Sequence, residues 1–150
     1  MFYHVCFVVP DIERAMSDLT RSTGARWSVI LEDSLGEWDY RLAFTKGGPP
    51  YIELVQGPPG SPWDSSLGAR FHHLGCWTDD VTKSSARLSE AGFPQEFSAC
   101  PLGRPYTYHK VDSIGGHVEL MDISRQERFL SSWDPGAEPT TATIEGTALS

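Results

Sequence analysis

One pattern dominates this sequence: it repeats itself. Tyr3-His4-Val5-Cys6-Phe7-Val8-Val9-Pro10-Asp11-Ile12 is answered by His72-His73-Leu74-Gly75-Cys76-Trp77-Thr78-Asp79-Asp80-Val81, so that His4 falls on His73, Asp11 on Asp80 and Ile12 on Val81 at an offset of 69. Leu19 meets Leu88 at the same offset and Gly24 meets Gly92 at 68. Tyr51-Ile52-Glu53-Leu54-Val55 then meets His117-Val118-Glu119-Leu120-Met121 at 66. Small loop deletions between duplicated modules produce such a drift. A shared His, Asp, Gly and Glu in one order restricts the fold to two copies of one unit.

Each copy opens on a β-rich apolar run, residues 2–9 and 71–78, which reads as a buried strand. Pro10 stops the first run, and Asp11, like Asp80, is placed to cap a helix with a negative charge at its positive end. Ile12, Ala15, Met16 and Leu19 recur at helical spacing, and Gly24 and Gly92 suit the residue just past a helix end. Short strands are expected at 26–32, 39–45 and 51–56, separated by the turn-like Asp33-Ser34-Leu35-Gly36 and Lys46-Gly47-Gly48-Pro49-Pro50. The second copy repeats them near 95–98, 106–112 and 117–122. Each module is therefore βαβββ. Module one spans 1–57, a Gly/Pro/Ser-rich connector 58–69, and module two 70–122. A short amphipathic helix over 123–133, with Ile123, Phe129, Leu130 and Trp133 apolar, completes a single domain 1–133. Residues 134–150, with three acids and no Lys or Arg, read as a flexible tail.

Composition narrows the partners. The net charge of −8 argues against nucleic acid or an anionic membrane surface. No apolar run reaches the ~20 residues a bilayer span needs, and Met1-Phe2-Tyr3-His4 does not begin a signal peptide. Cys6, Cys76 and Cys100 are odd in number and lack CxxC spacing, so neither a disulfide scaffold nor a zinc ribbon is expected. A cytoplasmic location is.

Alternation along a strand puts His4 on one face with Phe2, Cys6 and Val8, and His73 with Phe71, Gly75 and Trp77. It puts His72 on the opposite face. Glu53 and Glu119 have apolar neighbours on both sides in strands that read as buried. A carboxylate there is costly unless it is paired or bound to a metal. A pseudo-twofold axis would bring these two histidines and two glutamates to a common point. Nitrogen and oxygen ligands without thiolate suit a divalent ion among Zn, Ni, Co, Mn and Fe. Trp77, on the face of His73, and His117, on that of Glu119, are candidates for the wall of a substrate pocket. Arg104, Tyr106, Tyr108 and His109 are further candidates.

The His4-Val5-x-x-Val8 strand followed by Asp11, the His72-His73-Leu74-Gly75 strand ending in Asp79-Asp80, Ile52-Glu53-Leu54, and Gly116-His117-Val118-Glu119-Leu120 resemble the vicinal oxygen chelate superfamily. That superfamily includes glyoxalase I, methylmalonyl-CoA epimerase, extradiol dioxygenases and the bleomycin- and fosfomycin-resistance proteins. The resemblance covers residues 2–122 and is nearest in local motif to the glyoxalase-like and epimerase-like members. It implies an α+β fold in which two βαβββ modules form an open, U-shaped eight-stranded sheet around a metal. The implied ligands are His4, Glu53, His73 and Glu119, from the first and last strand of each module. Glu53 or Glu119 would also serve as the base that moves a proton beside a carbonyl.

The expected function is a metal-dependent isomerase, epimerase or lyase, acting on a small oxygenated metabolite through a metal-stabilised enolate-like intermediate. Two alternatives stand beside it: a non-catalytic small-molecule-binding or antibiotic-sequestering protein, and an iron-dependent extradiol-type dioxygenase. Epimerases of the group usually carry Gln where this chain has Glu53. An extradiol enzyme would leave one glutamate surplus, and bleomycin-binding members lack the metal set retained here. Members often form homodimers, and the terminal helix with Trp133 is the expected contact.

Overall fold

The computed structural model describes residues 2–146. Module one consists of β1 (His4–Val8), α1 (Ile12–Thr23), β2 (Leu31–Leu35), β3 (Trp38–Phe44) and β4 (Tyr51–Gln56). Module two consists of β5 (Arg70–Thr78), α2 (Val81–Glu90), β6 (Gln95–Ser98), β7 (Tyr106–Val111) and β8 (Gly116–Asp122), and α3 (Gln126–Trp133) follows it. The strands form one mixed sheet in the order β2-β3-β4-β1-β5-β8-β7-β6, with each module holding one half. At the centre β1 and β5 run antiparallel, with His4 opposite Gly75 and Cys6 opposite His73. Within each module the first strand pairs in parallel with the last, so Cys6 lies beside Glu53 and Gly75 beside Glu119. This is the α+β architecture of two βαβββ modules.

Local chemistry accounts for the helices. The Asp11 and Asp80 carboxylates accept from the backbone N–H of Arg14 (3.0 Å) and Lys83 (2.9 Å), each satisfying an orphan donor of its helix. Gly24 ends α1 at φ +77°, where a side chain would be strained. α1 buries Ile12 on the outer side of the sheet with Val9, Ala43 and Leu54.

Two expectations shift. The strand expected at 26–32 forms at Leu31–Leu35 instead, through residues read as a turn. Asp33 pairs with Tyr40 and Leu35 with Trp38, leaving the reversal to Gly36-Glu37. Gly36 supplies φ +58° at its first position. Leu35, 2% exposed, is anchored in the interior, and its burial outweighs the turn-like polar residues before it. The segment 134–146, expected as part of a flexible tail, instead packs on the domain. The Gln126 side chain bonds the Thr140 backbone both ways, at 2.7 and 2.9 Å. The Glu145 carboxylate accepts from the Thr78 and Ser84 hydroxyls and from the Asp79 N–H. Docking through polar pairs leaves no hydrophobic period in the sequence. Residues 147–150 of the expected tail lie outside the described residues.

α3 lays Phe129 and Trp133 on an aromatic cluster of Tyr3, Phe44, Tyr51 and Trp77. Trp133 is therefore buried within its own chain, not available as the expected homodimer contact. The sheet curls until its edges approach each other. Arg104 Nη2 lies 3.1 Å from Asp33 Oδ1, and the Trp38 and Phe97 rings are 6.1 Å apart. Among the described residues no helix is long and apolar enough to cross a membrane.

Candidate metal centre

The four central strands each turn one polar side chain to the inner face of the curl. These are His4, Glu53, His73 and Glu119, all buried. The Nε2 atoms of His4 and His73 are 2.8 Å apart. Glu53 Oε2 lies 3.0 Å from His4 Nε2 and 3.4 Å from His73 Nε2. The Glu119 oxygens come within 3.8 Å and 3.5 Å of the same two atoms. His4, Glu53 and His73 each bring one donor atom within 4.8 Å of the other two, a group that could hold a metal ion, and Glu119 stands beside it. The donor set fits as well. Two buried carboxylates face two rings, and Glu119 Oε1 and His4 Nδ1 have no hydrogen-bond partner. Gly75 permits this convergence, because a Cβ there would stand 2.0 Å from His4 Cε1.

The two glutamates differ electrically. Burial pushes the Glu53 carboxyl up, but hydrogen bonds from His4 and His73 outweigh it and hold the group well below the usual range. Burial also pushes Glu119 up. The His73 and His4 charges pull against that, the Glu53 charge adds to it, and the net shift is upward. On His4 burial opposes the charge, yet the hydrogen bond to Glu53 leaves its pKa raised.

Strict alternation fails at His72. The β1–β5 register slips between Cys6 and Phe7, which pair with His73 and Phe71, so β5 carries His72 as an extra residue in a β-bulge. His72 is buried, with Nδ1 2.8 Å from His73 Nδ1 and Nε2 2.9 Å from the Pro62 carbonyl. A carbonyl only accepts, so His72 Nε2 carries a proton. Burial first, and then the charges of His73 and His117, hold the His72 pKa down at about 3, leaving the ring neutral near pH 7. Its Nδ1 is then the acceptor and His73 Nδ1 the donor. Were an ion to take the Nε2 lone pair of His73, the ring would keep its Nδ1 proton, and His72 Nδ1 is placed to accept it, the tautomer a metal ligand needs. The doubled histidine is the one sequence signal that could have marked this pair.

In front of His4, Glu53 and Glu119 lies a cavity of about 150 Å³. Arg104 and Tyr106 line it, as does Tyr108. Trp77 does not: its ring stacks on Tyr3 at 3.8 Å, beneath α3. His117 does not either. It stacks on His72 at 5.2 Å and its Nε2 lies 3.2 Å from Glu96. His109 is buried away from the cavity, with Nδ1 2.8 Å from the Phe93 carbonyl. Trp63, from the connector, is a wall residue the sequence did not single out for the pocket; its Nε1–H donates to the Tyr108 hydroxyl at 2.9 Å. Its signal is a bulky aromatic in an otherwise Gly/Pro/Ser-rich stretch. A wider hollow of about 530 Å³ opens along β2 and β3, lined by Glu32, Asp39 and Gln56, and none of the four side chains reaches it.

Likeness to known proteins agrees with this geometry at the level of fold. A search of curated proteins finds no match. Among solved structures, a variant of Streptomyces coelicolor methylmalonyl-CoA epimerase in complex with 2-nitronate-propionyl-CoA is similar at 20% identity and a TM-score of 0.60, covering 81% of this chain and 95% of that one. The methylmalonyl-CoA epimerase of Mycobacterium tuberculosis is similar at 17% identity and a TM-score of 0.54, covering 81% and 86%. A variant of 4-hydroxymandelate synthase from Streptomyces coelicolor gives 13% identity and a TM-score of 0.57, covering 81% of this chain and 47% of the synthase. Residues 3–108 match the family described as the glyoxalase/bleomycin resistance protein/dioxygenase superfamily, and the chain belongs to that superfamily.

Proposed function

We propose that this protein is a metal-dependent isomerase, epimerase or lyase that moves a proton beside a carbonyl of a small oxygenated metabolite. The observation that carries this reading is the convergence of four buried side chains, His4, Glu53, His73 and Glu119, with Glu119 Oε1 unpartnered. These four would hold one divalent ion among Zn, Ni, Co, Mn and Fe. Bound there, the ion supplies Lewis acidity to two neighbouring substrate oxygens and acidifies the adjacent C–H.

The chain's own residues divide the remaining work. Glu53, bonded to both histidines, and His73, backed by His72, form the fixed side. Glu119 makes longer contacts and has a free oxygen, so it is the group that takes the proton and returns it, with an enolate-like intermediate between. Return of the proton to the opposite face gives epimerisation, and return to a neighbouring atom gives isomerisation. Loss of a leaving group gives elimination. Tyr106, Tyr108, Trp63 and Phe129 wall the cavity and limit water around the carbanionic carbon. The fold shared with two methylmalonyl-CoA epimerases supports this class. Three free thiols support a reducing, cytoplasmic setting.

Metal analysis of the purified protein, with solvent-deuterium exchange into candidate 2-oxo acids, tests the reading. Glu119→Gln is expected to keep the ion and lose exchange, and Glu53→Ala, which removes the donor, to lose the ion. Full metal content and exchange in both variants would overturn it. Iron with oxygen uptake on catechols would replace it with a dioxygenase, and tight ligand binding without metal with a sequestering protein.

A further inference from the structure

A second hollow, of about 140 Å³, adjoins the cavity at His4, Glu53 and Glu119 and shares Arg104, Tyr106, Met121 and Phe129 with it. What it adds is charge. Arg125, from the turn before α3, and Arg128, from α3 itself, complete its lining. Arg128 is exposed and Arg125 half-buried. Among the described residues neither makes an ion pair. Arg104 is held by Asp33, whose carboxylate also accepts from the Tyr40 hydroxyl. The chain has 20 acids against 12 cations, yet three guanidiniums line this hollow and no carboxylate does. Its floor of Tyr106, Met121 and Phe129 is largely apolar.

We propose that this hollow is an anion subsite, which takes a carboxylate or phosphate group at the far end of the substrate. It rests on the functional reading above, with the oxygenated head of the substrate at His4, Glu53, His73 and Glu119. Planar guanidinium forks match carboxylate and phosphate oxygens two at a time, and two of the three here have no competing acid. The apolar floor suits a short methylene arm. At about 30 Å³ per water-sized group, the hollow holds ~4–5 non-hydrogen atoms. Arg125 and Arg128 lie outside residues 3–108, the part matched by the family. The terminal turn and helix thus add substrate selectivity beside the four side chains.

The test uses four probes on the full chain, with and without bound metal, followed by calorimetry. 2-Oxoglutarate carries a chelating head and a distal carboxylate, 2-oxopentanoate has the same head with a methyl in its place, and glutarate lacks the chelating ketone. Metal-loaded wild type is expected to bind 2-oxoglutarate about tenfold to a hundredfold tighter than 2-oxopentanoate. Arg125→Gln/Arg128→Gln is expected to erase that difference while leaving metal content and 2-oxopentanoate binding unchanged. Glutarate binding should survive metal removal and vanish in the double variant. 2-Oxo-4-phosphonobutanoate, compared with 2-oxoglutarate, decides between a phosphate and a carboxylate arm. Equal affinity for the two keto acids, discrimination that persists in the double variant, or no binding of any probe overturns the subsite. Arginine-dependent binding of 2-oxoglutarate that ignores the metal would instead sink the metal reading and leave the subsite standing.

Discussion

His4 and His73 hold the same place in two copies of one module, yet the far sides of their rings differ. His73 Nδ1 meets His72, while His4 Nδ1 meets nothing. The glutamates are also unequal, with Glu53 tied to both histidines and Glu119 left with a free oxygen. Backbone symmetry gathers the donor set, and one β-bulge together with unequal contacts then divides the labour within it. A duplicated module supplies matched ligands but not the asymmetry that proton transfer needs.

The comparison breaks most sharply at the glutamates. Glu119→Gln is expected to slow proton exchange by about 10²–10⁴-fold with metal retained, whereas Glu53→Ala fails through loss of metal. Equal losses in both variants, with equal metal content, would make the pair symmetric after all. Next comes the bulge. His72→Phe removes the acceptor that fixes His73 Nδ1–H and should weaken metal binding by about 10–100-fold at pH 7. Unchanged affinity by competition with a chelator would mean that His73 needs no backing, like His4. Gly75→Ala tests the centre of the sheet, where the added Cβ would strike the His4 ring. A stability loss of about 1–3 kcal/mol is expected from overpacking, with weaker metal binding, both read by chemical denaturation with and without ion. An unaltered midpoint would show that the ring has room to move.

The smallest effect concerns the strap, whose Glu145 is held by Thr78, Asp79 and Ser84 of module two. Hydrogen bonds from Ser84 and Thr78 outweigh burial and lower the Glu145 pKa from 4.5 to about 2. A folded-state pKa below the unfolded one contributes stability above pH ~4.5 and loses it as pH falls toward ~2. The carboxylate is largely exposed, so less than about 1 kcal/mol is at stake. Glu145→Gln should flatten the decline in melting temperature across that window. An identical decline in both proteins would mean the strap contributes nothing.

Much of this was legible because a strand's period is two and a duplication preserves it. Spacing alone puts His4 and His73 at matching places in their strands and Glu53 and Glu119 in buried ones, and Asp11 and Asp80 could be recognised as caps. The rest depends on departures from that period. A bulge moves His72 to the site, which alternation placed on the opposite face. Trp77 has the right parity but sits too far along β5, where Tyr3 and α3 cover it. Trp63 and Arg125 reach the cavities through the connector and the terminal turn, whose paths no periodicity describes. The 134–146 segment is held by Gln126 and Glu145, and single polar contacts carry no pattern.

Titration of zinc into metal-free protein tests the central claim most directly, with wild type beside His4→Gln and His73→Gln. One equivalent per chain is expected in wild type, with affinity at least about tenfold weaker in each variant. A wild type that takes up no ion, or variants that bind it unchanged, would contradict the account.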